Sequence, residues 1–447
     1  MMGRYRKVFA AMLTSGVASV LSSIAMVARD LLMAKQFGVS GSVDGYLISY
    51  TFLMFVASVF ANSIMPALMP AYIRLRTAVG EHASLALAWR AALAAACAVS
   101  LIAIVIAALS PQLIAILASN FSSSGRAISR ETLLWMLGIL PVQTFLAVLT
   151  VIANSRGAYL RPGLAPALPS IAAAVVLFLF ARSFGIGVVA AATLCGAIVQ
   201  LLLFPIEWRG LWSAKGQWKD DARVWGDLVR QYWPVVASGV LMSATPLVDQ
   251  AMAATMAEGS VATLSYGQKL SGLVLSVSSI ALSNAVLPHL SEMAARDAWA
   301  EIGHSLRVFR RVILAVVLPA TAILYFFSEP IAILVFERGA VSRVDAINIA
   351  HVQALFLLQM PFYLLGMLSV RLISALKANV ILMYGTALSI VLKVLFNYVL
   401  MQWFGLRGIA LATTCVYVVA CAYLTISAWR ILRLRSEASR LGTALSG

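Results

Sequence analysis

Seven polar side chains stand in this sequence where nearly everything around them is apolar. Three are cations (Arg29, Lys269, Lys393), three are acids (Asp30, Asp44, Asp249) and one is an amide, Asn62. A guanidinium or ammonium in apolar surroundings attracts an anion and hydrogen-bonds phosphate oxygens well. A carboxylate there either holds such a cation or takes up a proton or Na⁺. Lys393 sits in the middle of ILMYGTALSIVLKVLFNYVL, too far from either end to reach water easily. The bland alternatives stay open at this stage. Arg29 and Asp30 lie at the outer end of the first apolar run and Lys269 about a third of the way into its helix, and all three can snorkel to water. Lys393 can belong to a buried structural pair, with Asp249 as a candidate acid for one of the cations.

Helical spacing arranges several of these residues on faces. Ser15, Ser19, Ser22, Met26 and Arg29 follow steps of three and four. Asp44, Thr51, Ser58 and Asn62 keep to one face of the next segment, and Lys269, Gly272, Ser276, Ser279 and Ser283 to one face of a later one. Small hydroxyl residues also line ordinary helix contacts in membranes. Cys97, Cys195, Cys415 and Cys421 lie in apolar runs with no CxxC or Cys/His spacing, so the sequence offers neither a disulfide framework nor a metal site. No GxxxxGK[ST] loop is present to hold a nucleotide.

The elements that position these side chains follow from composition. Of 447 residues, 62% are hydrophobic and 11% charged, with a mean hydropathy of +0.93. Soluble domains carry about 25% charged residues, so lipid must solvate much of this chain. The net charge of +16 does not indicate nucleic acid, because the basic residues sit in short loops between apolar segments. The basic start Met1–Lys7 leads into an apolar run that continues to Arg29 without a cleavage site. A spanning helix needs about 20 mostly apolar residues. Twelve segments qualify, near 9–34, 43–71, 88–109, 131–154, 163–182, 185–205, 232–256, 260–289, 311–335, 347–370, 379–401 and 405–429. With the N-terminus inside, 23 of the 33 Lys and Arg residues fall on inner loops and tails and eight on outer loops. That asymmetry predicts a multi-pass protein of the cytoplasmic membrane with both termini cytoplasmic.

The expected fold is all-α, with two six-helix lobes around a central cavity: 1–205, then 232–430. Between them, 206–231 carries interleaved Trp, Lys and Arg and reads as an amphipathic interfacial linker; 431–447 is a cytoplasmic tail. The halves resemble each other. Ser15-Gly16-Val17 is answered by Ser238-Gly239-Val240, Gly41-Ser42-Val43 by Gly259-Ser260-Val261, and Asn62 with Pro66 by Asn284 with Pro288. Six spans per half give parallel repeats, which place a substrate site between the halves near mid-membrane.

The stretch Val27-Ala28-Arg29-Asp30, then Phe37-Gly38, Asp44, Pro66 and Pro70, resembles the opening of the MurJ/MviN lipid II flippases of the multidrug/oligosaccharidyl-lipid/polysaccharide exporter superfamily. Gly259-Ser260-Val261, Tyr266, Lys269-Leu270 and Leu287-Pro288-His289-Leu290-Ser291 resemble that family's eighth helix. The resemblance places Arg29 and Asp30 on the essential A-R-D motif, Lys269 on a cavity arginine and Asp44 on an acid typical of the family. Two further family features differ: its earlier first-span arginine falls on Ser23, and a second-span arginine pair falls on Ala57 and Ser58. The family's usual fourteen spans contrast with the twelve read here. The resemblance implies alternating-access flipping of a polyprenyl-diphosphate-linked glycan, for peptidoglycan or another envelope polysaccharide. Substrate binding would fall to Arg29, Lys269, Lys393 and Asn62, and coupling or gating to Asp30, Asp44 and Asp249. No cofactor is expected; H⁺, Na⁺ or the membrane potential remain as energy sources. Expected partners are the lipid-linked anionic glycan, membrane lipids and envelope or polysaccharide synthesis enzymes, with no nucleic acid. Among rivals, an O-antigen or exopolysaccharide flippase is compatible. A multidrug exporter of the same fold is disfavoured by the cationic interior, and a membrane glycosyltransferase by the short outer loops. A non-transporting scaffold would tolerate loss of Lys269 and Lys393.

Overall fold

The computed structural model describes residues 2–180, 185–214, 222–376 and 378–446. Among them every regular element is helical. Two compact units form, Met1–Ala262 with Arg338–Ser342, and Thr263–Glu337 with Arg343–Gly447.

In the first unit the helices run α1 (Met2–Phe37), α2 (Gly41–Phe60), α3 (Ile64–Ala78), α4 (Glu81–Ala108), α5 (Ser110–Leu117), α6 (Ser123–Met136) and α7 (Ile139–Ser155). They continue as α8 (Leu160–Leu164), α9 (Ala167–Phe180), α10 (Gly187–Gln200), α11 (Pro205–Ser213) and α12 (Ala222–Ala253). Gly38, at φ +67°, ends α1 in the left-handed turn that glycine adopts without a Cβ clash, and its N–H returns to the Ala34 carbonyl. The second predicted span breaks at residues 61–63, where Pro66 removes an amide donor from the following turn. Its repeat partner does not break: the backbone of α13 (Ser260–Ala295) stays helical through 284–288. Side chains of Ser283, Asn284, Leu287 and Pro288 lie outside the described residues.

The core of the first unit gathers Leu68, Tyr72, Leu87, Val148, Leu149 and Phe204 from α3, α4, α7 and the turn before α11. The expected interfacial linker divides here. Its first part is α11, bent 73° from the helix before it, with Leu211 buried and Trp208 packed on this core. Glu207 is buried as well and receives both Nη atoms of Arg161, at 2.8 and 2.9 Å. Residues 215–221 of the linker, like Arg182 on the predicted outer loop, lie outside the described residues. The helix that opens the second sequence half, α12, packs on α2 and α3 within the first unit.

The second unit holds most of α13, then α14 (Trp299–Phe326), α15 (Ser328–Phe336), α16 (Arg343–Leu357), α17 (Met360–Ala375), α18 (Asn379–Phe404) and α19 (Leu406–Ser446). Its core gathers Leu290, Ile302, Leu357, Met360 and Ile373. Among the described residues, ten helical stretches are long and apolar enough to cross a membrane, and the bent α10–α11 pair is an eleventh candidate. The long helix α13, 36 residues, occupies the place of the remaining predicted span. Two spans shift: the third and the ninth each end in a short separate helix, α5 and α15, and the ninth starts at Trp299 rather than near 311.

Candidate functional site

Arg29 and Asp30 sit in the last third of α1, a helix that packs on α8 and α9. Neither snorkels: each is 1% exposed. Neighbouring residues on a helix point about 100° apart, so the long Arg29 side chain must curl back. Its Nε and Nη2 both donate to Asp30 Oδ1, at 2.9 and 2.6 Å. The guanidinium carbon lies 5.0 Å from the centre of the Tyr50 ring, and Tyr50 stacks on Tyr46 at 5.9 Å. Tyr46, one turn earlier on α2, shares a 3.3 Å hydrogen bond with Thr193 of α10. Arg29 Nη1 is buried and has no hydrogen-bond partner among the described residues. Burying a guanidinium costs several kcal/mol after relaxation. The neighbouring carboxylate and the aromatic face, worth up to about 2 kcal/mol when desolvated, offset part of that. What they leave is a held cation with a donor to spare.

Asp44 does different work. It is fully buried, and its two oxygens accept from the backbone N–H groups of Gly259 and Ala262, at 2.6 and 2.7 Å. These are among the amide groups that a helix start leaves without intrahelical partners, and a carboxylate suits them in both hydrogen bonding and dipole. Asp44 therefore caps the start of α13 from a separate helix. The packing explains the repeated Gly-Ser-Val signature: a Cβ on Gly259 would lie 2.6 Å from Val39 Cγ1, and one on Gly41 would run into Glu258. Nearby the Asn120 amide donates to the Thr255 carbonyl, and Ala340 N–H donates to Lys35 O at 2.9 Å. The connections before α2 and before α13, and the segment Arg338–Ser342, are thus knitted together inside the first unit.

The remaining predicted residues are dispersed. Asn62 is exposed at the α2–α3 break and donates to Ser58 Oγ at 3.5 Å. Asp249 is buried on α12, three residues after Pro246, whereas the carboxylate that holds Arg29 is Asp30. Ser22, on the predicted first-span face, spends its hydroxyl on the Gly163 carbonyl at 2.7 Å, a packing contact. In the second unit Lys269 is half-buried on α13, and Ser279 of the same helix donates to Tyr363 Oη at 3.1 Å. Lys393 is 1% exposed, and its ammonium donates to Thr413 Oγ1. Thr413 donates in turn to the Ile409 carbonyl at 3.1 Å, and Asn397 is buried one turn beyond Lys393. Sequence reasoning missed Tyr46, Tyr50, Thr193 and Thr413. The signal for the two tyrosines was their i, i+4 spacing beside Asp44; nothing local marked the threonines.

The family profile described as Lipid II flippase MurJ matches residues 33–441. A protein of Thermotoga maritima named "Probable lipid II flippase MurJ" is 24% identical over 417 residues, covering 93% of this chain and 84% of that one. The Lipid II flippase MurJ of Burkholderia cenocepacia is 22% identical over 426 residues, covering 90% and 80%. Among solved structures, a lipid II flippase MurJ in an inward closed conformation superposes with a TM-score of 0.81 at 20% identity, covering 93% of this chain and 87% of that one. An inward-facing multidrug resistance MATE transporter superposes at 0.77 with 15% identity, covering 93% and 96%. These two likenesses establish the fold. With ten or eleven candidate spans among the described residues, a buried Arg-Asp pair in the first of them and a profile match over nearly the whole length, the chain belongs to the MurJ family of lipid II flippases.

Proposed function

We propose that this chain carries lipid II, or a closely similar polyprenyl-diphosphate glycan, across the cytoplasmic membrane by alternating access, and that Arg29 anchors the diphosphate. The observation that carries this reading is the buried Arg29 guanidinium, held by Asp30 and Tyr50 with Nη1 unused. An intramembrane cation kept at such cost is functional by default, and a phosphate oxygen is the acceptor its spare donor fits. Lys269 and Lys393 supply further positive charge, and Asn62 a neutral donor. Asp44 acts as a gate: its cap on α13 holds one side closed, and transport requires those two hydrogen bonds to break and re-form. Asp249 is the coupling acid, with H⁺, Na⁺ or the membrane potential as the driving force. Both termini face the cytoplasm, so cysteines placed at Ser123 and Ser342 label from the periplasm and one at Ser213 from the cytoplasm.

The deciding experiment is a flipping assay with purified protein in vesicles, comparing lipid II with a neutral lipid-linked sugar. Each charge-assisted contact is worth about 1.5–3 kcal/mol, so Lys269→Ala should weaken lipid II binding about ten-fold or more. Lys269→Arg should retain it. Equal transport of the neutral lipid by wild type, together with an unaffected Lys269→Ala, would defeat the anionic-headgroup reading.

A further inference from the structure

The two repeats differ where their sixth helices end. In the first unit, α11 leaves α10 at 73° and folds two indoles onto the helices beneath it. Trp208 stacks on Phe145 of α7 at 5.6 Å, and Trp212 meets Trp89 of α4 edge-on at 6.1 Å. In the second unit, α19 makes no such bend and runs as one helix from Leu406 to Ser446. Ala192-Thr193-Leu194-Cys195 of α10 aligns with Ala412-Thr413-Thr414-Cys415 of α19, an offset of 220 residues. At that offset Trp208 and Trp212 fall on Ala428 and Leu432, and Phe145 falls on Leu365. At the same offset Trp89 falls on Phe309, which packs against the core of the second unit.

Three of these four rings are thus replaced by aliphatic side chains in the second unit. A cavity of about 700 Å³ opens among α14, α17 and α19, and Leu365, Ala428, Leu432 and Arg307 all line it. Its walls are chiefly aliphatic, while Arg307 and Arg310, both exposed, stand on α14 at its edge beside Trp429. Arg433 lies over the Trp429 ring at 5.6 Å and adds to the positive rim. Apolar walls exclude a free inorganic anion as the main occupant, and the arginines disfavour a neutral one. The combination matches an amphiphile with an acyl chain and an anionic headgroup, in keeping with basic pockets between membrane helices.

We propose that this cavity binds an acyl chain of an anionic phospholipid whose phosphate lies between Arg307 and Arg310, on the membrane face where α14 begins and α19 ends. The lipid takes the place where Trp208 stacks on Phe145 in the first unit, and it is separate from the diphosphate site around Arg29.

The test uses the full chain in detergent, equilibrated with mixed micelles of equal phosphatidylglycerol and phosphatidylcholine, with bound lipid counted by native mass spectrometry. Wild type should retain one phosphatidylglycerol with about ten-fold or greater preference, since each basic residue near a lipid headgroup contributes roughly five-fold. Arg307→Gln with Arg310→Gln should abolish the preference while the chain stays folded. Leu365→Phe with Ala428→Trp rebuilds the aromatic pair of the first unit and should eject the lipid; Ser369→Phe narrows the same cavity with a single change. Equal retention of the two phospholipids by wild type overturns the proposal, as does unchanged retention by both filled variants. Complete displacement by an equal amount of polyprenyl diphosphate overturns it too, because the cavity would then belong to the substrate.

Discussion

Each unit buries one cation deep in a helix, and the two are solvated in different ways. Arg29 in the first unit lies against a carboxylate and a stacked pair of tyrosine rings. Lys393 in the second points its ammonium at the Thr413 hydroxyl. The repeat relates their surroundings: Thr413 aligns with Thr193, the residue that holds Tyr46 beside Arg29. One position in the repeat thus supports a cation directly in one unit and through an aromatic ring in the other. The difference lies in geometry. A planar guanidinium can bind Asp30 along one edge and keep donors for a ligand on another. An ammonium is a compact point charge, and a hydroxyl and nearby amide suit it without fixing a direction.

The largest expected effect breaks this comparison at Arg29. Arg29→Ala leaves Asp30 as a buried charge without its partner, a loss of roughly 3–5 kcal/mol, and removes the proposed anchor. Transport in reconstituted vesicles should fall to background, while Arg29→Lys, which keeps charge but not the fork, should retain a measurable fraction. Full transport by Arg29→Ala would remove this residue from the mechanism. Lys393→Met asks whether the second cation also serves transport. Thr413 keeps its bond to Ile409 O in the variant, so no hydroxyl is orphaned and stability should change by about 1 kcal/mol or less. Thermal unfolding near wild type with transport lost would make the two cations functional equivalents. Wild-type transport would leave Lys393 a structural residue.

Much of the fold was legible because its causes are local. Spans follow from runs of apolar residues, and the repeated Gly-Ser-Val marked matching positions of the two halves, although only the structure packs those two helix starts together. The site was legible in kind but not in arrangement. Arg29 and Asp30 look like a span-end pair that can reach water, since nothing in the sequence says that Tyr50 of α2 stands over the guanidinium. Asp44 is indistinguishable from a titrating acid until Gly259 and Ala262, more than 200 positions later, are found at its oxygens. The same limit explains the linker. Its tryptophans read as interfacial; Trp208 packs on Phe145, which no local pattern announces, while Trp212 stays 65% exposed with one edge against Trp89.

Asp44 gives the next smaller effect, and it tests whether closure resides in the first unit. Asp44→Ala deletes an acceptor for two backbone N–H groups at a helix start, which costs about 1–2 kcal/mol. Because the cap sits where the connections converge, the cost should appear as a shift in opening rather than global unfolding. One to two kcal/mol is a factor of about 5–30 in an equilibrium. A cysteine at Asn120 or Ser342 should therefore be modified about that much faster in the Asp44→Ala background. Asp44→Asn should fall between, since its amide oxygen still accepts one of the two bonds. An unchanged labelling rate with transport lost would point to a titrating role instead of a gate.

The smallest effect separates ring from hydroxyl at Tyr50. The Arg29 guanidinium sits 5.0 Å from the Tyr50 ring centre, so what it feels is the negative face of the π system. Tyr50→Phe keeps that face, and lipid II affinity should be unchanged within error. Tyr50→Leu keeps bulk and burial but removes the quadrupole, at a cost of about 0.5–2 kcal/mol. If the ring steadies the guanidinium for its ligand, this appears as roughly a two- to thirty-fold weaker affinity for lipid II. The Lys393 ammonium donates to the Thr413 hydroxyl, which in turn donates to the Ile409 carbonyl. Thr413→Val should therefore leave lipid II affinity within about two-fold of wild type even where it lowers stability. An equal loss from Tyr50→Phe would assign the effect to the phenol hydroxyl and dissolve the contrast between a cation positioned by a ring and one held by a hydroxyl.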